Sequence, residues 1–149
     1  MTILTSACLL GLPCRYDGAA KPCDGARALT AVHTLIPYCP ECFGGLPTPR
    51  SPAERRGNRI LSRDGRDVTE AYRRGAEGAL YLCRLYGCRA ALLKEKSPSC
   101  GHGQIYDGTF TGTLTAGDGA AAELLLRHGI PVFGESQLDA LLDMLAHLS

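Results

Sequence analysis

The chain has 149 residues, of which 45% are hydrophobic and 21% are charged, and its formal net charge at pH 7 is +1. This size and balance are typical of one globular domain, so we expect residues 1–149 to form a single domain. The small net charge argues against proteins that rely on a strong positive field, such as nonspecific binders of nucleic acid or of anionic membranes.

The first part of the chain predicts two strands separated by loops. The β-branched stretch at residues 2–7 predicts a buried strand that ends near Cys8. The segment after it is rich in Gly, Pro and Asp and predicts a loop, with a short helix around residues 26–31. A second strand is predicted over Thr34–Tyr38 and ends at Cys39.

The middle of the chain predicts irregular structure followed by a long helix. Residues 42–59 contain three prolines and three glycines, which predicts a long, rigid loop. The Asp64-Gly65 pair indicates a hairpin tip. From Asp67 onward, apolar residues recur at offsets of three and four, which predicts a helix with Gly87 just past its end.

The last third alternates strands and helices. The predicted elements are a strand over 88–93, an irregular segment or short hairpin over 107–119, a helix over 120–129 closed by Gly129, a strand over 130–133, and an amphipathic helix over 136–148 with Ser136 as its candidate cap. Between the first two of these lies LLKEKSPSCGHG, a Ser-, Pro- and Gly-rich loop with a cysteine at its tip.

The alternation of strands and helices predicts an α/β fold: a mostly parallel sheet flanked by helices on both faces, a Rossmann-like three-layer sandwich. In such sheets, ligands bind at the carboxyl ends of the strands. Cys8, Cys39 and Cys100 each follow a predicted strand. We therefore expect these three thiols to meet on one rim of the sheet.

Eight cysteines are many for a chain of this size. The N-terminal sequence MTILTSACLLGLPC has no basic residue before its short apolar stretch and does not resemble a secretory signal. No window approaches the ~20 apolar residues of a membrane span. We expect a cytoplasmic protein, in which thiols stay reduced and point to metal binding or catalysis rather than to disulfides.

Thiolates favour zinc or iron–sulfur clusters. For zinc, the chain offers one tightly spaced pair, Cys39 and Cys42, and no second pair of equal spacing. A cluster held by three cysteines would leave one iron open to a substrate atom. The spacing of the cysteines does not decide between a zinc site and an iron–sulfur cluster. A third interpretation is that the cysteines are buried packing residues.

Two other residues close to these cysteines could carry chemistry. Glu41 lies two residues after Cys39 and could act as a general base on a water near a metal-bound substrate. Ser97 lies three residues before Cys100 and could donate or relay a proton. The alternatives are a solvated loop carboxylate for Glu41 and a turn residue that bonds its own backbone for Ser97.

Four blocks of the sequence, in order, resemble the successive motifs of the thiouracil desulfurase family of small bacterial proteins. They are SACLLGLPCRYDG, CPECFGGLPTPRSPAE, LLKEKSPSCG and GDGAAAELLLRHGIPVF, and they cover nearly the whole chain. The resemblance implies a 4Fe-4S cluster and hydrolytic, non-redox removal of sulfur from a thiolated uracil.

By these motifs, the resemblance implies that Cys8, Cys39 and Cys100 are the cluster ligands, that Glu41 is the catalytic carboxylate and that Ser97 is the assisting hydroxyl. Lewis-acid polarisation and general base catalysis suffice for such a hydrolysis, so no electron donor is expected. The chain departs from the family pattern at Cys42, where an aliphatic residue is usual. Cys42 and Cys14 are the two candidates for a fourth cluster ligand. Of these, we expect Cys42 to have only a packing role.

The expected partner is a small thiolated pyrimidine, with no membrane partner, and the sequence does not indicate an oligomeric state. Alternatives are thiouridine in nucleosides or tRNA, a zinc-binding structural module, and an electron-transfer iron–sulfur protein. Residues 50–74 carry a local excess of arginine, but few aromatic residues for stacking bases are interleaved there. Arg50 is the arginine that a rigid loop could direct into the site.

Overall fold

A computed structural model describes residues 1–148. In chain order, its elements are β1 (Thr2–Ser6), α1 (Asp24–Ala28), β2 (Thr34–Tyr38), α2 (Pro40–Phe43), β3 (Ala53–Arg56), β4 (Arg59–Ser62), α3 (Thr69–Tyr86), β5 (Ala90–Leu93), β6 (Gln104–Tyr106), β7 (Leu114–Ala116), α4 (Ala120–Arg127), β8 (Val132–Gly134) and α5 (Leu138–Leu148). Short 3-10 turns lie at Ala7–Leu10, Leu29–Ala31 and Glu135–Gln137.

The main sheet has four strands in the order β2-β1-β5-β8, and every neighbouring pair is parallel. Side chains alternate between its faces, so that Leu4 and Ala91 point to one side while Ile3 and Leu92 point to the other. All four are fully buried, as expected for parallel strands covered on both faces. The predicted α/β fold with a parallel sheet is confirmed.

Helices cover both faces of this sheet. α3 and α4 pack on the face of Leu4, where their small residues Ala76, Ala79 and Ala121 let the helices approach closely. α1 and α5 cover the face of Ile3 through a second apolar cluster. Of the helices within residues 1–148, none is long and apolar enough to cross a membrane.

The prediction of a rigid loop over residues 42–59 is confirmed for residues 44–52, which contain no helix or strand, and is wrong for the rest. The segment begins in the end of α2 and continues into most of the antiparallel hairpin β3–β4, whose turn is Gly57-Asn58 between the paired Arg56 and Arg59. Gly57 adopts φ +59°, which the two-residue hairpin turn requires. Ala53, Ile60 and Leu61 are the apolar residues of the hairpin's two strands, and they do not give the apolar alternation by which a strand is recognised.

The Asp64-Gly65 pair forms a turn between Leu61 and Asp67, which are joined by an antiparallel bridge, so the predicted hairpin tip is confirmed just after β4. The prediction for the last helix needs correction. Ser136 does not cap the last helix, because it lies inside the 3-10 turn before α5 and its hydroxyl bonds the carboxylate of Glu95.

Candidate active site

The cysteines that follow the strands lie along one rim of the main sheet. Cys8 lies in the 3-10 turn directly after β1, and Cys39 directly follows β2. Cys100 lies in the loop after β5. Because β2, β1 and β5 are parallel neighbours, their carboxyl ends meet at one edge, and all three side chains line one cavity there.

This cavity has a volume of about 740 Å³, a size typical of small-molecule sites. Its wall includes the residues expected to carry chemistry, Glu41 and Ser97, together with Cys14, Arg50 and Ser99. Further aromatic and basic residues on the wall are Tyr16, Tyr38, Tyr72, Tyr106, Phe110, Arg15, Lys21, Arg63, Lys94 and Lys96.

The thiols at the rim are free, and those of Cys39 and Cys100 resist ionisation. All eight cysteines are unpaired, and Cys8 and Cys100 are buried. Burial raises the pKa of the Cys100 thiol to about 12. A hydrogen bond with Cys14, together with burial, raises the pKa of Cys39. A metal that binds these thiols therefore has to displace their protons.

The two additional cysteines of the site differ in position. Cys14 lines the cavity; a hydrogen bond with Cys39 lowers its pKa, but a hydrogen bond with Cys8 and burial outweigh that effect and raise the pKa to about 11. The Cys42 thiol lies 3.8 Å from the Cys14 carbonyl oxygen and 3.5 Å from the Thr48 hydroxyl. Cys42 is not one of the described residues that form the cavity wall.

Glu41 lies in the first turn of α2, and its carboxylate is held from two sides. Arg50 Nε donates to Oε1 at 3.0 Å, and the Ser99 hydroxyl donates to Oε2 at 3.0 Å. The Arg50 and Glu41 side chains are only 6% and 14% exposed. Burial by itself lowers the pKa of Arg50, but the nearby Glu41 carboxylate more than offsets this effect. The pKa of Arg50 is therefore raised overall, and the guanidinium keeps its charge.

Close backbone packing fixes the position of α2. Gly75 of α3 faces Pro40, and a Cβ at Gly75 would lie 2.1 Å from the Pro40 carbonyl oxygen. Only glycine permits this approach, which seats the first turn of α2 directly on α3. Tyr38 Oη also donates to the Gly75 carbonyl at 2.7 Å. The backbone that carries Glu41 is therefore rigidly placed.

Ser97 organises the loop that carries Cys100. Its hydroxyl oxygen accepts the backbone N–H groups of Ser99 and Cys100, each at 3.1 Å, and bonds the Ser99 hydroxyl at 2.9 Å. Ser97 thus serves as a turn residue, which was the alternative to a proton-relay role. Its hydroxyl also belongs to a chain of hydrogen bonds. That chain runs from Ser97 through the buried Ser99 to Glu41.

Ser99 was not predicted from the sequence, whereas Arg50 lies on the cavity wall, as expected of the arginine that a rigid loop could direct into the site. Ser99 occupies an ordinary Ser-Pro turn, and nothing local signals that it is buried beside a carboxylate 58 residues earlier in the chain. Tyr72 of α3 was not predicted as a site residue either. It also lines the cavity, and burial together with the Glu41 carboxylate raises its pKa.

The chemistry of the donor set suits an iron–sulfur cluster. Three cysteines that follow neighbouring strands line the cavity, and each can supply a thiolate ligand. Soft, free thiols along one cavity are the ligands that iron–sulfur clusters use.

Comparisons with known proteins agree with this geometry. A solved structure described as the 4Fe-4S-dependent thiouracil desulfidase TudS (DUF523Vcz) superposes with a TM-score of 0.93 at 52% sequence identity, covering 97% of each chain. The protein YbbK of Bacillus subtilis (strain 168), described as uncharacterized, is 40% identical over 150 residues, covering 94% of this chain and 99% of YbbK. The family model for 2-thiouracil desulfurase matches residues 3–137. The chain therefore belongs to the 2-thiouracil desulfurase family.

Proposed function

We propose that the whole chain, as one domain, is a 4Fe-4S-dependent thiouracil desulfidase that hydrolyses a thiolated pyrimidine to uracil and hydrogen sulfide. One observation carries this proposal. The free thiols of Cys8, Cys39 and Cys100 share a cavity with the carboxylate of Glu41, in a chain 52% identical to a protein described as a 4Fe-4S-dependent thiouracil desulfidase.

In this proposal, Cys8, Cys39 and Cys100 hold the cluster. When bound by three cysteines, a 4Fe-4S cluster supplies an iron without a protein ligand, a Lewis acid suited to a soft thiocarbonyl sulfur. Cys42 is not assigned as a ligand, because it is not among the described residues of the cavity wall. Cys14 lines the cavity but is not assigned either, because the resemblance to the family motifs implies Cys8, Cys39 and Cys100 as the ligands.

Glu41 is the general base that takes a proton from the attacking water. Its two carboxylate oxygens are oriented by Arg50 and Ser99, so the carboxylate needs no reorganisation before it acts. A positioned carboxylate of this kind typically contributes about 10²–10⁴-fold to the rate. Ser99 and Ser97 extend the hydrogen-bonded path along which a proton can return to the departing sulfur.

The reaction balances without any oxidant or reductant. One water is consumed, its oxygen replaces sulfur on the pyrimidine carbon, and the sulfur leaves with two protons as hydrogen sulfide. The oxidation states of carbon and sulfur do not change. This balance separates the proposal from an electron-transfer role, which would need a redox partner.

The proposed substrate is a free thiolated base in the cytoplasm. A cavity of about 740 Å³ matches the size of small-molecule sites. Desulfuration of thiouridine in a nucleoside or in tRNA is the variant to be tested beside it. Binding of tRNA would weaken steeply with salt, because phosphate contacts release counterions.

The test is anaerobic reconstitution of the protein with iron and sulfide, followed by incubation with 2-thiouracil, 4-thiouracil and thiouridine in the absence of any reductant. We expect a brown protein that releases one sulfide for each uracil formed. Glu41→Gln is the matched control, because it should keep the visible absorbance of the cluster and lose turnover by about 10²-fold or more. A colourless protein, a requirement for an electron donor, or an active Glu41→Gln variant would overturn the proposal.

A further inference from the structure

One aromatic residue on the cavity wall has an unusual backbone conformation. Phe110 lies in the loop between β6 and β7, and its φ is +57°. This left-handed region is disfavoured for bulky side chains, so the surrounding structure must hold the residue there. Phe110 also lines the cavity. The conformation therefore presents an aromatic ring to the site.

The neighbouring hairpin anchors this loop. Glu54 of β3 accepts the backbone N–H groups of Gly108 at 3.0 Å and of Phe110 at 3.1 Å. Gly108 packs so closely on Arg56 that a Cβ there would lie 2.0 Å from the Arg56 Cγ. The side chain of Asp107 accepts the backbone N–H of Thr109 at 3.0 Å and so tightens the turn. The position of Phe110 is thus set before any ligand binds.

A positively charged side chain, that of Arg63, lies over the ring of Phe110. The guanidinium carbon of Arg63 lies 5.6 Å from the ring centroid, within the range of a cation–π contact. Arg63 lines the cavity as well. An aromatic ring and a planar guanidinium on one wall are the groups on which nucleobases stack in proteins.

We propose that Phe110, supported by Arg63 and by the Glu54 anchor, is the stacking surface that binds the pyrimidine ring of the substrate. This inference rests on the proposed function and deepens it, because it names the side chain that selects a planar heteroaromatic thiocarbonyl compound. Phe110 is assigned to binding and not to the chemical step, since the general base and the thiols lie on other elements.

The first test compares steady-state kinetics of reconstituted Phe110→Leu, Phe110→Tyr and wild-type protein. Leucine keeps an apolar side chain but has no π-face, whereas tyrosine keeps the ring. Stacking of a base on an aromatic side chain contributes about 1–3 kcal/mol, so KM for 2-thiouracil and the inhibition constant of uracil should both rise about 5- to 150-fold in Phe110→Leu. kcat and iron content should stay near wild type, and Phe110→Tyr should restore KM.

Tyr81→Leu is the control, because Tyr81 lies on α3, is 64% exposed and is not among the described residues of the cavity wall. It should leave both constants unchanged. If wild type is active and Phe110→Leu keeps both constants within about twofold of wild type, the stacking role is wrong although the desulfidase function stands. An inactive wild type would instead refute the proposed function.

A second measurement tests stacking without turnover. The chain contains no tryptophan, so Phe110→Trp introduces a single fluorophore on the cavity wall. The fluorescence is excited at the red edge of tryptophan absorption while uracil is added in increasing concentration. Uracil should quench this fluorescence, and the quenching should saturate. Tyr81→Trp should show no saturable quenching. Equal responses of the two variants would overturn the inference, whether or not the protein releases sulfide.

Discussion

Arg50 and Glu41 form a buried ion pair in which Nε lies 3.0 Å from Oε1. Arg50 also donates from Nη2 to the Cys14 carbonyl at 3.0 Å and from Nη1 to the Thr48 hydroxyl at 3.0 Å. One guanidinium therefore orients the candidate base and ties the loop of Cys14 to α2.

Removing this cation should harm both stability and activity. Arg50→Met leaves the Glu41 carboxylate buried beside no counter-charge, so we expect a loss of about 3–5 kcal/mol in the free energy of unfolding. Activity should also fall, because Oε1 of Glu41 loses the donor that orients it. Urea unfolding and steady-state kcat measure the two effects. An unchanged kcat would show that Arg50 does not position Glu41.

Ser97 and Ser99 should behave as one unit in catalysis. Ser99→Ala breaks the path between Ser97 and Glu41, and we expect kcat to fall roughly tenfold. Ser97→Ala also leaves the N–H groups of Ser99 and Cys100 without their acceptor, so it should in addition reduce stability by about 1–3 kcal/mol. In a double-mutant cycle the losses in kcat should be less than additive. Strictly additive losses would contradict a shared path.

Cysteine replacements should separate the ligands from their neighbours. Cys8→Ser, Cys39→Ser and Cys100→Ser should each lose most of the iron bound after reconstitution, because a hydroxyl is a poor substitute for a thiolate. Cys14→Ser and Cys42→Ser should retain it. Iron and sulfide analysis with visible absorbance measures this. Loss of the cluster in Cys42→Ser would show that the ligand set is wrong.

Tyr72 should make the protein sensitive to alkali. Burial, assisted by the Glu41 carboxylate, raises its pKa above the ordinary value of about 10. Below pH 10 both states keep the phenol proton, whereas above it only the unfolded chain releases the proton, so stability falls as pH rises. Tyr72→Phe should reduce this slope by up to about 1.4 kcal/mol per pH unit, and Tyr81→Phe should not. Equal slopes in all three proteins would contradict the effect of burial.

The sequence predicted the parallel sheet well, because its strands are short apolar runs that alternate with helical patterns along the chain. Thr34–Tyr38 was predicted to the residue, and the predicted first strand ends within one residue of β1. Since the carboxyl ends of parallel strands share one edge, the common rim of Cys8, Cys39 and Cys100 also followed from the pattern.

Contacts between distant segments were beyond the sequence pattern. Ser99 meets Glu41 across 58 positions, and Arg50 reaches Cys14 across 36. The hairpin β3–β4 was missed because most of its strand residues are polar or charged, although Ile60 of β4 is buried. The parts that could not be predicted are those in which polar side chains bond across the cavity.

The most direct test of the hydrolytic account is the source of the oxygen in the product. Reconstituted protein should be incubated with 2-thiouracil in water enriched in oxygen-18, without a reductant, and the uracil analysed by mass spectrometry. We predict that each uracil carries one oxygen atom from the solvent and that one sulfide accompanies it. Uracil without the label, or sulfide formed only when electrons are supplied, would contradict the account.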